Sequence, residues 1–378
     1  MTKPQNPELL ALRDELARKD AEIIDLLAER MRVIREVARV KAGAGLPSFD
    51  REREGAHLDD LVARAGDAGV PDDLVRDVFA RLFAASRLEQ RRFAQARATE
   101  RFSIGVVGGT QGMGAFLGRV FFAGGFSVET MGLDDGPPAA ELAARSDLVI
   151  VAVPIHVTLD VIADVAPHVR PGACLMDVTS IKRPPVAKML ELAPEGVDVV
   201  GTHPMFGPHG FDFDRQKVVL CRGRGETWFP RVKALFEAFG ADTIEATAEE
   251  HDAQMALIQV LVHEKTLVLG SVLERLRADL DRSLQFASPI YRTELAMIGR
   301  MFSQQAQLYA DILTVNPEAA RVSHLFEQEA AYFARAVAMG DRDAIVTRFE
   351  QVSEFMRDFA AWAKKQSDAI LYDLVRHG

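Results

Sequence analysis

After Pro7 the chain meets no glycine or proline until Gly43, and apolar residues recur along that stretch at helical spacing: Leu9, Leu12, Leu16, Ile23, Leu27, Met31 and Ile34. The spacing predicts one helix over Pro7–Ala42, about 54 Å long at 1.5 Å per residue. A helix of that length cannot bury its apolar stripe against itself, so it requires partner helices. The turn KAGAGLPS ends it, and two shorter helical patterns follow over roughly Asp50–Ala65 and Pro71–Arg97. Residues 1–97 therefore read as an all-α domain. A chain of 378 residues leaves room for two more.

At Phe102 the period changes. SIGVVGG, FSVETMG, DLVIVAV, ACLMDVT and VDVVGTH are short β-branched runs that alternate with helical stretches. This is the βαβ pattern of a parallel sheet. A further strand, KVVLC, and a helix near Pro230–Phe239 complete an α/β, Rossmann-like domain over 98–246. From about Thr247 the pattern is helical again, broken at Pro289, Pro317 and Gly340, which predicts a second all-α domain over 247–378.

Composition removes several function classes. Fifty-five acidic residues against 45 Lys plus Arg give a formal charge of −10, the wrong sign for a broad nucleic-acid surface. Cys174 and Cys221 are too few for a disulfide framework or a Cys-rich zinc site. His203, His209, His251 and His263 lack metal-ligand spacing, so no metal is expected. No uncharged apolar run is long enough to span a membrane, and the first twenty residues lack a secretory layout. The expectation is a cytoplasmic protein without membrane or nucleic-acid partners.

Gly108-Gly109-Thr110-Gln111-Gly112-Met113-Gly114 lies between a strand and a helix, where a glycine-rich turn brings a pyrophosphate onto a helix N-terminus. Counting back from Gly114, the G-x-G-x-x-G pattern finds Gly109 in place but Gln111 at its middle position. The second strand leads to Asp134, an acid suited to the ribose hydroxyls of NAD and unsuited to the extra phosphate of NADP. The alternative, that Asp134 and Asp135 only form the turn before Pro137, stays open. Ligands of open parallel sheets bind at the carboxyl ends of strands. There the sequence offers Val153, Pro154 and His156 after the third strand, Ser180 and Lys182 after the fourth, and His203 after the fifth. His203, flanked by Gly201, Pro204 and Gly207, is mounted for proton acceptance near neutral pH.

VVGGTQGMG, DLVIVAVPIHVT, DVTSIK, GTHPMFGP, EHDAQMALIQVLVH, SPIYRTELAMIGR and QLYADI together resemble the prephenate dehydrogenase family of the tyrosine pathway, from about Phe102 to beyond Ile312. NPELLALRDELARKDAEIIDLLAERM and FDREREGAHLDDL resemble the chorismate mutase domain that some of these dehydrogenases carry in fusion. The resemblance implies that His203 accepts a hydrogen bond from the substrate's ring hydroxyl and that Ser180 helps hold both. It implies a carboxylate ligand in Arg300, a pocket-lining role for His263, and an ionic network joining Asp252 to Arg300. His209 stands where relatives often carry an acid. The implied reaction takes prephenate to 4-hydroxyphenylpyruvate: proton to His203, hydride to NAD, ring carboxylate lost as CO₂.

Chorismate mutases of this type need no nucleophile; they hold a flexible dianion in its reactive chair and stabilise the ether oxygen as its bond breaks. Arg30 and Lys41 share one helix face about 16 Å apart, so their side chains could bracket one substrate. Arg13 lies about 25 Å before Arg30 and reaches such a substrate only from an antiparallel partner, which suggests a homodimer. The resemblance implies the site set Arg13 (in trans), Arg30, Lys41, Asp50, Arg53, Glu54, Ser86 and Gln90. Lys41 and Gln90 take the ether oxygen, the arginines the carboxylates and Glu54 the ring hydroxyl.

The reading is a bifunctional enzyme making prephenate and then oxidising it. Two alternatives stay open: a mutase fused to a catalytically dead nucleotide-binding regulatory module, and an arogenate dehydrogenase. Tyr309, nine residues after Arg300, lies where tyrosine, shaped like the product, would compete as a feedback inhibitor.

Overall fold

The computed structural model describes residues 7–44, 51–98, 100–133, 135–208 and 213–377. Asp50, Asp134 and His209 lie outside the described residues. The first helix, α1 (Pro7–Ala44), packs along α3 (Asp72–Ala98), with α2 (Arg51–Asp67) closing a small core around Val62, Ala65 and Val75. Much of the stripe that required a partner stays open: Leu12, Leu16 and Ile23 are exposed, Leu16 by 63%.

The second layer is a seven-stranded sheet in the order β2-β1-β3-β4-β5-β6-β7. Its strands are β1 (Ser103–Val107), β2 (Ser127–Met131), β3 (Leu148–Val151), β4 (Cys174–Asp177), β5 (Asp198–Pro204), β6 (Lys217–Arg224) and β7 (Asp242–Ala246). The first five pair in parallel, as the βαβ alternation predicts. β6 runs antiparallel to β5, and β7 was not legible, because DTIEA is a half-covered edge strand without an apolar run. Helices α4 (Gly112–Ala123) and α8 (Trp228–Ala238) cover one face with a Phe-rich core; α5 (Ala139–Arg145), α6 (Ile155–Val165) and α7 (Arg183–Leu192) cover the other. The strand order reverses between β1 and β3, the crevice at which such sheets bind nucleotides.

The C-terminal layer is helical: α9 (Ala248–Met255), α10 (Val262–Arg275), α11 (Leu280–Leu284), α12 (Pro289–Phe302), α13 (Ala306–Val315), α14 (Ala319–Met339) and α15 (Arg342–His377). The breaks fall where the sequence placed them. Pro289 opens α12, and Gly340 ends α14 in the left-handed conformation at φ 65°. A π-helical turn, Ala256–Leu261, joins α9 to α10 and packs on α14. The run Ala248–Arg275 is long and apolar enough to cross a membrane by length and composition, although Glu264 and Lys265 in its middle keep it from being an uncharged run. In that run His251, Asp252, Met255, Ala256 and Val260 are buried within the protein, while Leu257, Ile258, Val262, Val268, Leu269 and Val272 are exposed.

Candidate active sites

The nucleotide loop is built by backbone constraint. Gly108 has φ 85°, and a Cβ there would lie 2.4 Å from the Ala152 carbonyl. Its N–H and that of Gly109 both donate to the Met131 carbonyl, 2.9 Å away, folding the loop over β2. Gly114 lets α4 pack on the loop: a Cβ would sit 2.2 Å from the Gly108 carbonyl oxygen. Gln111 is the extended N-cap of α4, and its side chain makes no capping bond. The first-turn amides of α4, from Gly112 and Met113 to Gly114, therefore face outward without a side-chain acceptor, the arrangement an anion requires. The Gln111 departure leaves the turn intact because the residue is exposed. Thr110 packs against Gly132, while Val153 packs on Gly108 and Pro154 caps α6 beside the crevice.

His203 ends β5, buried to 3% exposure and paired in register with Val219 of β6. Its Nδ1 lies 2.8 Å from Nε2 of His251, and Nδ1 of His251 lies 2.8 Å from Oδ1 of Asp252. Asp252 also accepts the backbone N–H groups of Lys182 (2.7 Å) and Arg183 (2.9 Å) at the start of α7. Burial, then His251 and Lys182, hold His203 well below its ordinary pKa; burial likewise lowers His251 against the raising bond to Asp252. Burial pushes the Asp252 carboxyl up, but the hydrogen bonds it accepts from His251, Arg183 and Lys182 outweigh that and hold it low. Under this row, fully buried Lys182 is ion-paired with Asp177 and bonded to Thr179. Ser180 is half-buried on the same β4–α7 loop.

Among the described residues no ion pair joins Asp252 to Arg300. Asp252 accepts from the start of α7 and from His251, while Arg300 is exposed on α12, where its charge acts on Tyr309. Tyr309 in turn meets His263 edge to face, ring centroids 5.1 Å apart. Burial lowers His263 and raises Tyr309. So α10, α12 and α13 bring His263, Arg300 and Tyr309 into one group. That group is pinned to the sheet by His156 at the start of α6, whose Nδ1 lies 2.8 Å from Asp311, and by an apolar joint of Ile155, Ile181 and Ile312.

In the N-terminal domain Arg30 donates to Ser86 Oγ at 2.7 Å and crosses α1 to α3. Burial lowers its pKa, with Glu54 acting the other way. Glu54 pairs with buried Arg87, and Gln90 Oε1 is buried without a hydrogen-bond partner. A buried amide oxygen left without a partner calls for an explanation, and an absent ligand is one. Lys41 is half-buried, and Arg53 and Arg13 are exposed, Arg13 far along α1 from the rest. Arg87 was missed, because nothing in the spacing marks it as inward. It reaches 3.9 Å from Asp214 of the α/β domain.

A helical cation pocket followed by a nucleotide crevice with a neutral buried histidine defines a mutase joined to a dehydrogenase. Residues 12–91 match the chorismate mutase type II family, 127–245 the prephenate dehydrogenase nucleotide-binding domain, and 247–351 the prephenate dehydrogenase dimerization domain. The T-protein of Enterobacter agglomerans is 36% identical over 369 residues, 96% of this chain and 97% of that protein. That of Haemophilus influenzae is 34% identical over 361 residues, 95% of each. Among solved structures, prephenate dehydrogenase from A. aeolicus, in complex with hydroxyphenyl propionate and NAD+, superimposes with a TM-score of 0.56 at 17% identity. It covers 69% of this chain and 99% of its own, a likeness of fold. The chain belongs to the T-protein family, and is a bifunctional chorismate mutase and prephenate dehydrogenase of tyrosine biosynthesis.

Proposed function

We propose that residues 1–97 turn chorismate into prephenate, and that the crevice between residues 98–246 and 247–378 oxidises it with His203 as the proton acceptor. The observation that carries the reading is a buried histidine, held neutral, at the carboxyl end of β5, in a sheet whose β1–α4 turn leaves a helix N-terminus without a side-chain cap. The loop fits NAD, since Gly108 and Gly114 let the turn and α4 pack tightly on Ala152 and on each other, while Gly112 at the start of α4 faces open space and no side chain caps the first-turn amides. When bound, NAD supplies the hydride acceptor. His203 takes the proton of the ring hydroxyl as that carbon becomes a carbonyl. Loss of the ring carboxylate as CO₂ returns electrons to the ring oxygen, and the same histidine gives the proton back, leaving a phenol. Ser180 orients the hydroxyl, Arg300 grips a carboxylate through its fork, and His263 lines the pocket. Asp252 supports the base from behind rather than touching substrate.

In the mutase, Lys41 and Gln90 hold the ether oxygen, Glu54 the ring hydroxyl, and Arg30, Arg53 and a partner's Arg13 the carboxylates, with Asp50 and Ser86 supporting. The exposed stripe of α1 and exposed Phe355 (86%) and Trp362 on α15 favour a homodimer. Tyrosine, sharing the product's ring and amino-acid-sized tail, competes beside Tyr309 and Arg300. The relatives, enzymes of biosynthesis, support a cytoplasmic location. The test supplies NAD and chorismate alone and follows NADH. Wild type is expected to form it from chorismate or prephenate, and His203→Ala from neither while still consuming chorismate. NADH formation by His203→Ala at the wild-type rate overturns the assignment.

A further inference from the structure

We propose that His251 and Asp252 are positioning residues that fix the tautomer of His203, placing its proton on Nδ1 and leaving Nε2 as the acceptor of the substrate's hydroxyl proton. The inference rests on His203 being the base and deepens that reading. Asp252 sets the direction of every hydrogen bond in the row. A carboxylate only accepts, so the nitrogen of His251 facing Asp252, Nδ1, carries a hydrogen. Asp252 stays ionised because two backbone N–H groups at the start of α7 also point at it. A neutral His251 with its hydrogen on Nδ1 has a lone pair on Nε2. That lone pair faces His203 Nδ1 at 2.8 Å, so the hydrogen between the rings belongs to His203. The only nitrogen of His203 then left with a lone pair is Nε2.

The groups facing the pair sort into two opposing charges. Lys182, held against Asp177, disfavours protonation of either ring. Asp252, at the far end of the row, favours it. His203 is thus neutral at rest, and when it takes the proton its cation donates through Nδ1 into a row that ends in a negative charge. The rings themselves are held rigidly: both are buried, and Asn316 fixes the Asp252 carbonyl at 2.9 Å.

The test contrasts two replacements. His251→Leu removes the acceptor facing His203, while His251→Gln retains it in Oε1 and keeps a donor for Asp252. With prephenate, His251→Leu is expected to lower kcat about 100-fold with KM nearly unchanged. His251→Gln is expected to recover most of the loss. The imidazole nitrogens of the full-length protein, isotopically labelled and assigned by difference against His203→Asn, are expected to show the proton of His203 on Nδ1, and on Nε2 in His251→Leu. Equal losses in the two variants, or a proton on Nε2 in wild type, overturn the proposal. The wild-type spectrum decides the matter alone if a variant fails to fold. Undiminished dehydrogenation by His203→Asn would instead refute the choice of base.

Discussion

Gly114→Ala isolates what the nucleotide loop contributes. The new Cβ would lie 2.2 Å from the Gly108 carbonyl oxygen, more than an ångström inside the 3.4 Å at which ordinary contact begins. Both partners are backbone, so neither can rotate away; α4 must move back from the loop by about that distance. Overpacking of this kind costs about 1–3 kcal/mol, and a displacement near 1 Å at a positioned site costs roughly 100-fold. Titration calorimetry with NAD is expected to show Kd raised by about that factor, while chorismate turnover by the distant helical domain stays at the wild-type rate. Gly112→Ala is the contrast: its Cβ meets open space, and only φ 53° opposes it, a strain of about 1–2 kcal/mol. Its Kd should rise by roughly tenfold. Equal Kd values for the two variants would refute the claim that close packing of α4, rather than backbone freedom at its first residue, sets the cofactor site.

Three further outcomes follow from the buried groups. Lys182→Met strands Asp177, whose Oδ1 already lacks a partner, and is expected to cost about 3–5 kcal/mol in urea unfolding; adding Asp177→Asn should restore most of it. Because burial, His251 and Lys182 hold His203 low, it stays neutral well below pH 6.5, so kcat/KM for prephenate should fall only at more acid pH; an acid limb centred above 6.5 contradicts this. Gln90→Leu is expected to cut chorismate turnover about 10²–10³-fold. It should leave prephenate oxidation intact and thermal stability no lower, since it removes an unsatisfied buried oxygen.

The sequence carried the three-layer order because each layer has its own period: a long uninterrupted helical stripe, β-branched runs at strand length, then helices punctuated at Pro289 and Gly340. What it could not carry is pairing across distance. DTIEA reads as a loop until β6 lies beside it. His251 looked like one of several histidines without metal company; its meaning exists only because α9 returns it to the end of β5, forty-eight positions away in sequence. The partners that hold Asp252 are not legible in the sequence, since the amides that bond it belong to the start of α7 and leave no pattern in side-chain chemistry. Arg87 was hidden for a related reason: one cation among several on α3, it is distinguished by carboxylates distant in sequence, Glu54 on α2 and Asp214 in the α/β domain.

The two sites solve opposite electrostatic problems on one acidic chain. The mutase must hold a dianion with no covalent help; on the proposed reading Arg30, Lys41 and the orphan oxygen of Gln90 do this in a helical core where Arg30 bonds Ser86 and Arg87 pairs with Glu54. On the proposed reading the dehydrogenase must keep its base uncharged until the moment of transfer: His203 is buried, a cation stands on one side, and the compensating carboxylate of Asp252 lies a full imidazole away. A carboxylate bonded directly to His203 would raise its pKa and leave it protonated near neutrality, unable to accept; without Asp252, the cation formed in the reaction would lose the negative charge at the end of its hydrogen-bonded row. The intervening ring reconciles the two demands, since it passes a hydrogen bond at full strength while weakening the direct field of the anion with distance. A formal charge of −10 over the whole chain is compatible with two dianionic substrates because each site supplies its own local cations, and the surface need not.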